Sequence, residues 1–191
     1  MIEALRGHKL LLAADASLPS VSTLVAGEPV RGSWWAHRKA HAIFAAISAM
    51  SHHPDALVAP LVSGKVTFVQ RALWPAFLAV AQSGESWQLS GLSRPARLLI
   101  SKLHKAGTLE ASGDVAREIE RRLLARSHDV HTERGSHAKQ LERWAVWAER
   151  VGVSPLGDVG KAKAMLEEAV ARLGATSAAR RLPWQAGRVR G

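Results

Sequence analysis

Residues 92–112 read LSRPARLLISKLHKAGTLEAS. Ser93 stands where an N-cap is needed, and Pro95 falls in the first turn, where a missing amide hydrogen costs nothing. Apolar residues then recur at helical spacing, and Gly107 sits just past the end. TLEAS turns extended. Downstream, a second helix is expected from Gly113 or Asp114 through VAREIERRLLARS, and DVHTERG reads as a short strand with a turn. SHAKQLERWAVWAERVG reads as a further helix, capped by Ser136 and closed by Gly152. Helix, strand, helix, strand, helix over 92–151 is compatible with a winged-helix-like unit. The class that follows is α+β, mainly helical, with short strands.

The same rhythm extends outward. A helix is expected from Ser33 to about Ser51, with its core stripe at 36, 40, 43, 44 and 47, and Pro54 ends it by excluding the helical conformation for His53. LVSGKVTFV at 61–69 reads as a strand in which Val66 and Phe68 alternate against Lys65 and Thr67. Helices follow at 70–81, with Pro75 in the first turn, and at 158–173. The segment GATSAARRLPWQAGRVRG holds four arginines and no acid, which reads as a mobile, polyanion-seeking tail. The organisation is thus an N-terminal helical part with a short strand over residues 1–91, a winged-helix-like helical part over 92–174 and a basic tail over 175–191, with 1–174 as one compact unit.

Composition narrows the functional classes. The chain has 191 residues and no cysteine, which excludes disulfides, thiolate metal sites and cysteine nucleophiles. KLLLAA is too brief for a signal segment or a membrane span, so a soluble cytoplasmic protein without a membrane partner is expected. The 26 basic residues against 16 acidic ones give a net charge of +10, which points to a polyanion. Seven Trp accompany three Phe and no Tyr, so the aromatic content is concentrated in the side chain that stacks best on bases.

GSWWAHRKAH, at 32–41, carries the densest mixture of aromatic and cationic groups. On a continuous helix, Trp34, His37 and His41 share one face away from the core stripe. Trp34 and Trp35 beside Arg31, Arg38 and Lys39 form a candidate platform for a base, with cations on the phosphates. His37 and His41 have the spacing of two metal ligands, but no third ligand is required by the pattern, and no metal or other cofactor is assigned. In SGKVTFV, Lys65 is a candidate amine nucleophile or phosphate contact. In VHTERGSH, His131 and Glu133 fall on one side of an extended segment and can together orient a water. Arg121, Arg122, Lys139, Arg180 and Arg181 are further candidates for phosphate contact.

The combination of GSWWAH, HPD at 53–55, LVSGKVTFV, the Leu-Trp-Pro run at 73–75 and VHTERGSHAKQLERW resembles a group of small bacterial proteins over most of residues 30–151. It is also similar to small bacterial anti-phage DNA glycosylases that excise modified, glucosylated cytosine from invading DNA. The resemblance implies a DNA partner and base excision, but carries no catalytic motif onto numbered positions. Such a reaction extrudes a base and then stabilises an oxocarbenium-like sugar or places a water. Trp34 or Trp35, the arginines, and Asp55 or Glu133 have the chemistry for those roles, with Lys65 the group for attack by an amine. A non-enzymatic winged-helix regulator and an RNA-binding protein are the rival classes.

Overall fold

The computed structural model describes residues 1–131, 137–174 and 181–185. The chain opens with α1 (Ile2–His8), β1 (Leu10–Leu12) and α2 (Val21–Ala26), then passes through a 3-10 turn at Trp34–Ala36 into α3 (Ala40–Ser51). The hairpin β2 (Ala56–Val62) and β3 (Lys65–Gln70) leads to α4 (Trp74–Ala81) and the single-turn α5 (Ser86–Leu89). Then come α6 (Arg94–Ala106), β4 (Thr108–Ala111), α7 (Gly113–Arg121), β5 (Arg126–His131) and β6 (His137–Glu142). Last are α8 (Trp144–Val151) and α9 (Val159–Ala171). The α+β, mainly helical expectation holds.

Two antiparallel sheets of three strands organise the chain, in the orders β1-β3-β2 and β4-β6-β5. The first is covered on both faces. Leu10, Leu12, Leu57 and Val69 face α4, α8 and α9, while Leu11 and Phe68 face Leu5 of α1, Val21 of α2 and Met50 of α3. Burial on both faces replaces the simple alternation expected of LVSGKVTFV: Val66 is exposed, whereas Thr67, Phe68 and Val69 are all buried. Thr67 is accommodated because its hydroxyl donates to the Lys65 carbonyl and accepts from the Val62 amide. Ser63 and Gly64 close the hairpin with φ of 53° and 69°, the two left-handed residues a tight turn between twisted strands requires.

The second sheet has its own small core, in which Ala96, Leu103, Ile119 and Leu141 are buried between α6, α7 and the strands. The helix α6 forms as its sequence dictates: the Ser93 hydroxyl accepts from the Ala96 amide, Pro95 lies in the first turn, and Gly107 takes φ 78° past the end. The last strand, β6, pairs with both β4 and β5, and one helix, α7, lies between β4 and β5. Gln88, fully buried, ties the two halves of the chain together by donating to the carbonyls of Ala81 and Arg122.

Three expectations are corrected. The helix expected from Ser33 is interrupted, because His37 is extended with ψ 143° and α3 starts only at Ala40. Local side-chain bonds compete with the helix there: the His37 ring accepts from the Lys39 amide, and the Lys39 ammonium bonds the carbonyls of Val25 and Ala26. The helix expected over 136–151 is strand up to Glu142, since His137–Glu142 lies between β5 and β4 and bonds to both; α8 follows from Trp144. The segment after residue 174 is not wholly a free tail. Leu182 and Trp184 are buried in the main core, the Ser63 amide donates to the Arg181 carbonyl, and the Trp184 indole donates to Glu167.

Candidate nucleic-acid interface

The solvated side of α6 is the most cationic surface on any helix of the described residues. Its 13 residues include Arg94, Arg97, Lys102 and Lys105, all exposed, and no acid. At about 100° per residue, Arg94, Leu98, Ser101 and Lys105 fall on one line, with Arg97 and Lys102 on either side. Leu98 lies in the middle of this face, 58% exposed. None of the four cations forms a salt bridge among the described residues. The neighbouring acid, Glu118 of α7, is engaged by Ser93, whose hydroxyl and amide both donate to it. Those bonds, with Arg122 and Arg97 nearby, hold its carboxyl below the usual range.

Chemically, this face can neutralise phosphates. The helix is about 19 Å long, and duplex DNA carries roughly one charge per 1.7 Å of axis, so four cations match a short run of backbone. These cations are absent from the candidates drawn from the sequence, where the helix stood out for its caps and its apolar periodicity. The signal that could have found them is a run of four basic residues and a histidine with no acid.

A second surface lies on the N-terminal half of the chain. The indoles of Trp34 and Trp35 stack with centroids 4.0 Å apart and planes at 26°, and Phe44 on α3 lies 5.6 Å from Trp35. Trp35 is 62% exposed and Phe44 is 50% exposed. Leaving half or more of such a ring in water forgoes part of the roughly 1.5–3 kcal/mol that full burial supplies. The two adjacent indoles stack within the 3-10 turn that precedes the extended His37. Phe44, expected in the core stripe, is turned outward, while Ile43 and Met50 bury the opposite side of α3.

Comparison of the chain with protein-family models, with curated proteins and with solved structures gives no match.

The candidates around the aromatic pair divide by their bonds. The side chains of Arg31, Arg38 and His41 are exposed and make no hydrogen bond or ion pair among the described residues. His37 faces Glu28 at 3.4 Å, and Lys39 is spent on the end of α2. With His37 outside α3, the two histidines lose the helical spacing that would make them joint ligands. Among the described residues, no group of three His, Asp or Glu is arranged to hold a metal ion.

The candidate catalytic residues are not brought together. Asp55 is bonded by Arg6 at 3.3 Å, and Lys65 donates to Asp15 at 2.6 Å. Ala56 pairs with Gln70 and Val62 with Lys65, so Asp55 and Lys65 lie at opposite ends of β3, about 17 Å apart. Asp15 is the residue sequence reasoning missed, being remote from Lys65 in the chain. Burial pushes its carboxyl up, but bonds from Lys65, Ser17 and Leu18 outweigh that and bring it down to about 2. His131 lies on β5, paired with His137 of β6. Glu133 and Arg180 lie outside the described residues.

The remaining cations serve the fold to different degrees. Arg122 donates to the carbonyls of Trp87, Gln88 and Ser90, closing the C-terminal end of α5. Lys139 is paired with Glu120 at 2.6 Å. Arg121 is exposed on α7, and Arg181 is exposed where its backbone is pinned to Ser63. No helix among the described residues is long and apolar enough to cross a membrane.

Proposed function

We propose that this protein binds DNA through the solvated face of α6, gripping the phosphate backbone. The observation that carries this reading is the set of four exposed cations, Arg94, Arg97, Lys102 and Lys105, on one helix without an acid. The global charge of +10 supports it. A base-reading winged helix normally inserts the second helix of a helix-turn-helix pair into the major groove. Here residues 122–125 alone separate α7 from β5, which leaves no room for a further helix after α7. The binding proposed is therefore mainly backbone-directed, with affinity in the range of about 10⁻⁴–10⁻⁶ M at physiological salt.

Fluorescence anisotropy with a labelled duplex tests this. Replacing all four α6 cations by Gln lowers affinity and flattens the salt dependence; a folded wild-type protein that ignores duplex DNA sinks the reading. A competing structured RNA distinguishes an RNA-binding protein, which prefers the RNA.

Base excision by a DNA glycosylase is the narrower proposal on the same partner, favoured by the exposed Trp35 ring. Asp55 and Lys65 are held by Arg6 and Asp15, and the pair proposed to place the water is Glu133 with His131. Incubation with duplexes containing modified cytosine, followed by cleavage of abasic sites, checks it. Glu133→Gln abolishes product while retaining binding; a wild-type protein that binds these duplexes and leaves every base in place rejects excision.

A further inference from the structure

We infer that Trp35, backed by Trp34 and flanked by Phe44, is a stacking site for an unpaired nucleobase, so that the DNA preferred by this protein contains an unstacked position. The inference rests on the DNA-binding reading of α6 and is independent of base excision.

The first argument is preorganisation. A surface indole with no support moves freely, whereas here Trp34 stacks on Trp35 at 4.0 Å and Phe44 stands at 5.6 Å. The segment is tied down by Lys39, whose ammonium bonds the carbonyls of Val25 and Ala26, and by burial of Ile43 and Met50 beneath α3. The ring is held in place, and most of it is still in solvent.

The second argument is charge. An aromatic surface that docks an apolar protein partner gains nothing from unneutralised cations beside it. This one has Arg31 and Arg38 exposed and unpaired among the described residues, with His41 on the first turn of α3. The nearby acid, Glu28, already faces His37 at 3.4 Å. A flat apolar ring in a segment that carries exposed guanidinium groups three and four residues away complements a flat base attached to a phosphate backbone, and stacking accepts any base because each has a π face. A fully paired duplex keeps its bases stacked inside, so the ligand must present one that has left the stack.

The test uses the full chain and two labelled duplexes of identical sequence, one fully paired and one with a single unpaired 2-aminopurine. The wild-type protein binds the second about tenfold tighter, as expected for one base–aromatic stack, and quenches its fluorescence. Trp35→Ala loses both the preference and the quenching, yet binds the paired duplex within about twofold of wild type. Trp35→Phe retains part of the preference. Equal wild-type affinity for the two duplexes, or a preference that survives Trp35→Ala, overturns the stacking site and leaves the α6 reading intact. Failure of the wild-type protein to bind either duplex overturns the DNA reading and this inference with it.

Discussion

The two sheets have the same number of strands and the same antiparallel pairing, yet they are used differently. The sheet β1-β3-β2 is buried on both sides, so its strands hold Leu10, Leu11 and Leu12, or Thr67, Phe68 and Val69, without a solvent face. The sheet β4-β6-β5 has a small core against α6 and α7 and several ion-paired polar groups beside it. Glu142 of β6 accepts from Arg126 and from Arg150, and Glu120 accepts from Lys139 and Ser127. The first arrangement stabilises; the second leaves the outer side of α6 free to carry charge. Function and stability are therefore expected to separate in mutants.

The largest effect tests the stabilising half. Phe68→Ala lowers unfolding free energy by about 3–5 kcal/mol, the usual cost of removing a fully buried aromatic side chain. Leu109→Ala on the half-buried β4 costs less, about 1–2 kcal/mol. Urea denaturation measures both, and equal losses would break the contrast between the sheets. Next comes the combined replacement of Arg94, Arg97, Lys102 and Lys105 by Gln. It weakens duplex binding about 100-fold at low salt and reduces the slope of log K against log salt by about 3–4. The melting temperature stays near that of wild type, because these groups form no salt bridge among the described residues.

A third effect sharpens the role of the Asp15–Lys65 pair. The folded-state pKa of Asp15 is lowered to about 2 from an ordinary 3.8, so its contribution is present above that ordinary value. It is lost as pH falls from about 4 through 2, where the unfolded chain binds the proton first. The linked stabilisation is on the order of 2 kcal/mol. Denaturation across pH 2–6 checks it, and Asp15→Asn removes that component of the pH dependence. The smallest contrast lies between adjacent arginines. Arg122→Gln removes bonds to three carbonyls and costs about 1–2 kcal/mol of stability, whereas Arg121→Gln leaves stability unchanged and weakens DNA binding only a few-fold.

The legibility of the chain follows the range of the forces that shape each segment. α6 was readable to the residue, because Ser93, Pro95 and Gly107 act within one turn of their own positions. The strand at Thr108–Ala111 and the helix after Asp158 were legible for the same reason. The break at His37 was hidden, because the group that stabilises it, Lys39 on the end of α2, bonds to carbonyls more than a dozen positions away. Phe44 likewise fits a core stripe in one dimension and is turned to solvent in three.

By itself, the sequence determined the class, the charge and the caps of α6, all of which depend on composition or on neighbours a few residues apart. The tertiary structure decided which strand His137–Glu142 would join, where Lys65 finds its carboxylate, and that two adjacent tryptophans stack. Each of these depends on groups brought together by folding, and no periodicity along the chain records them.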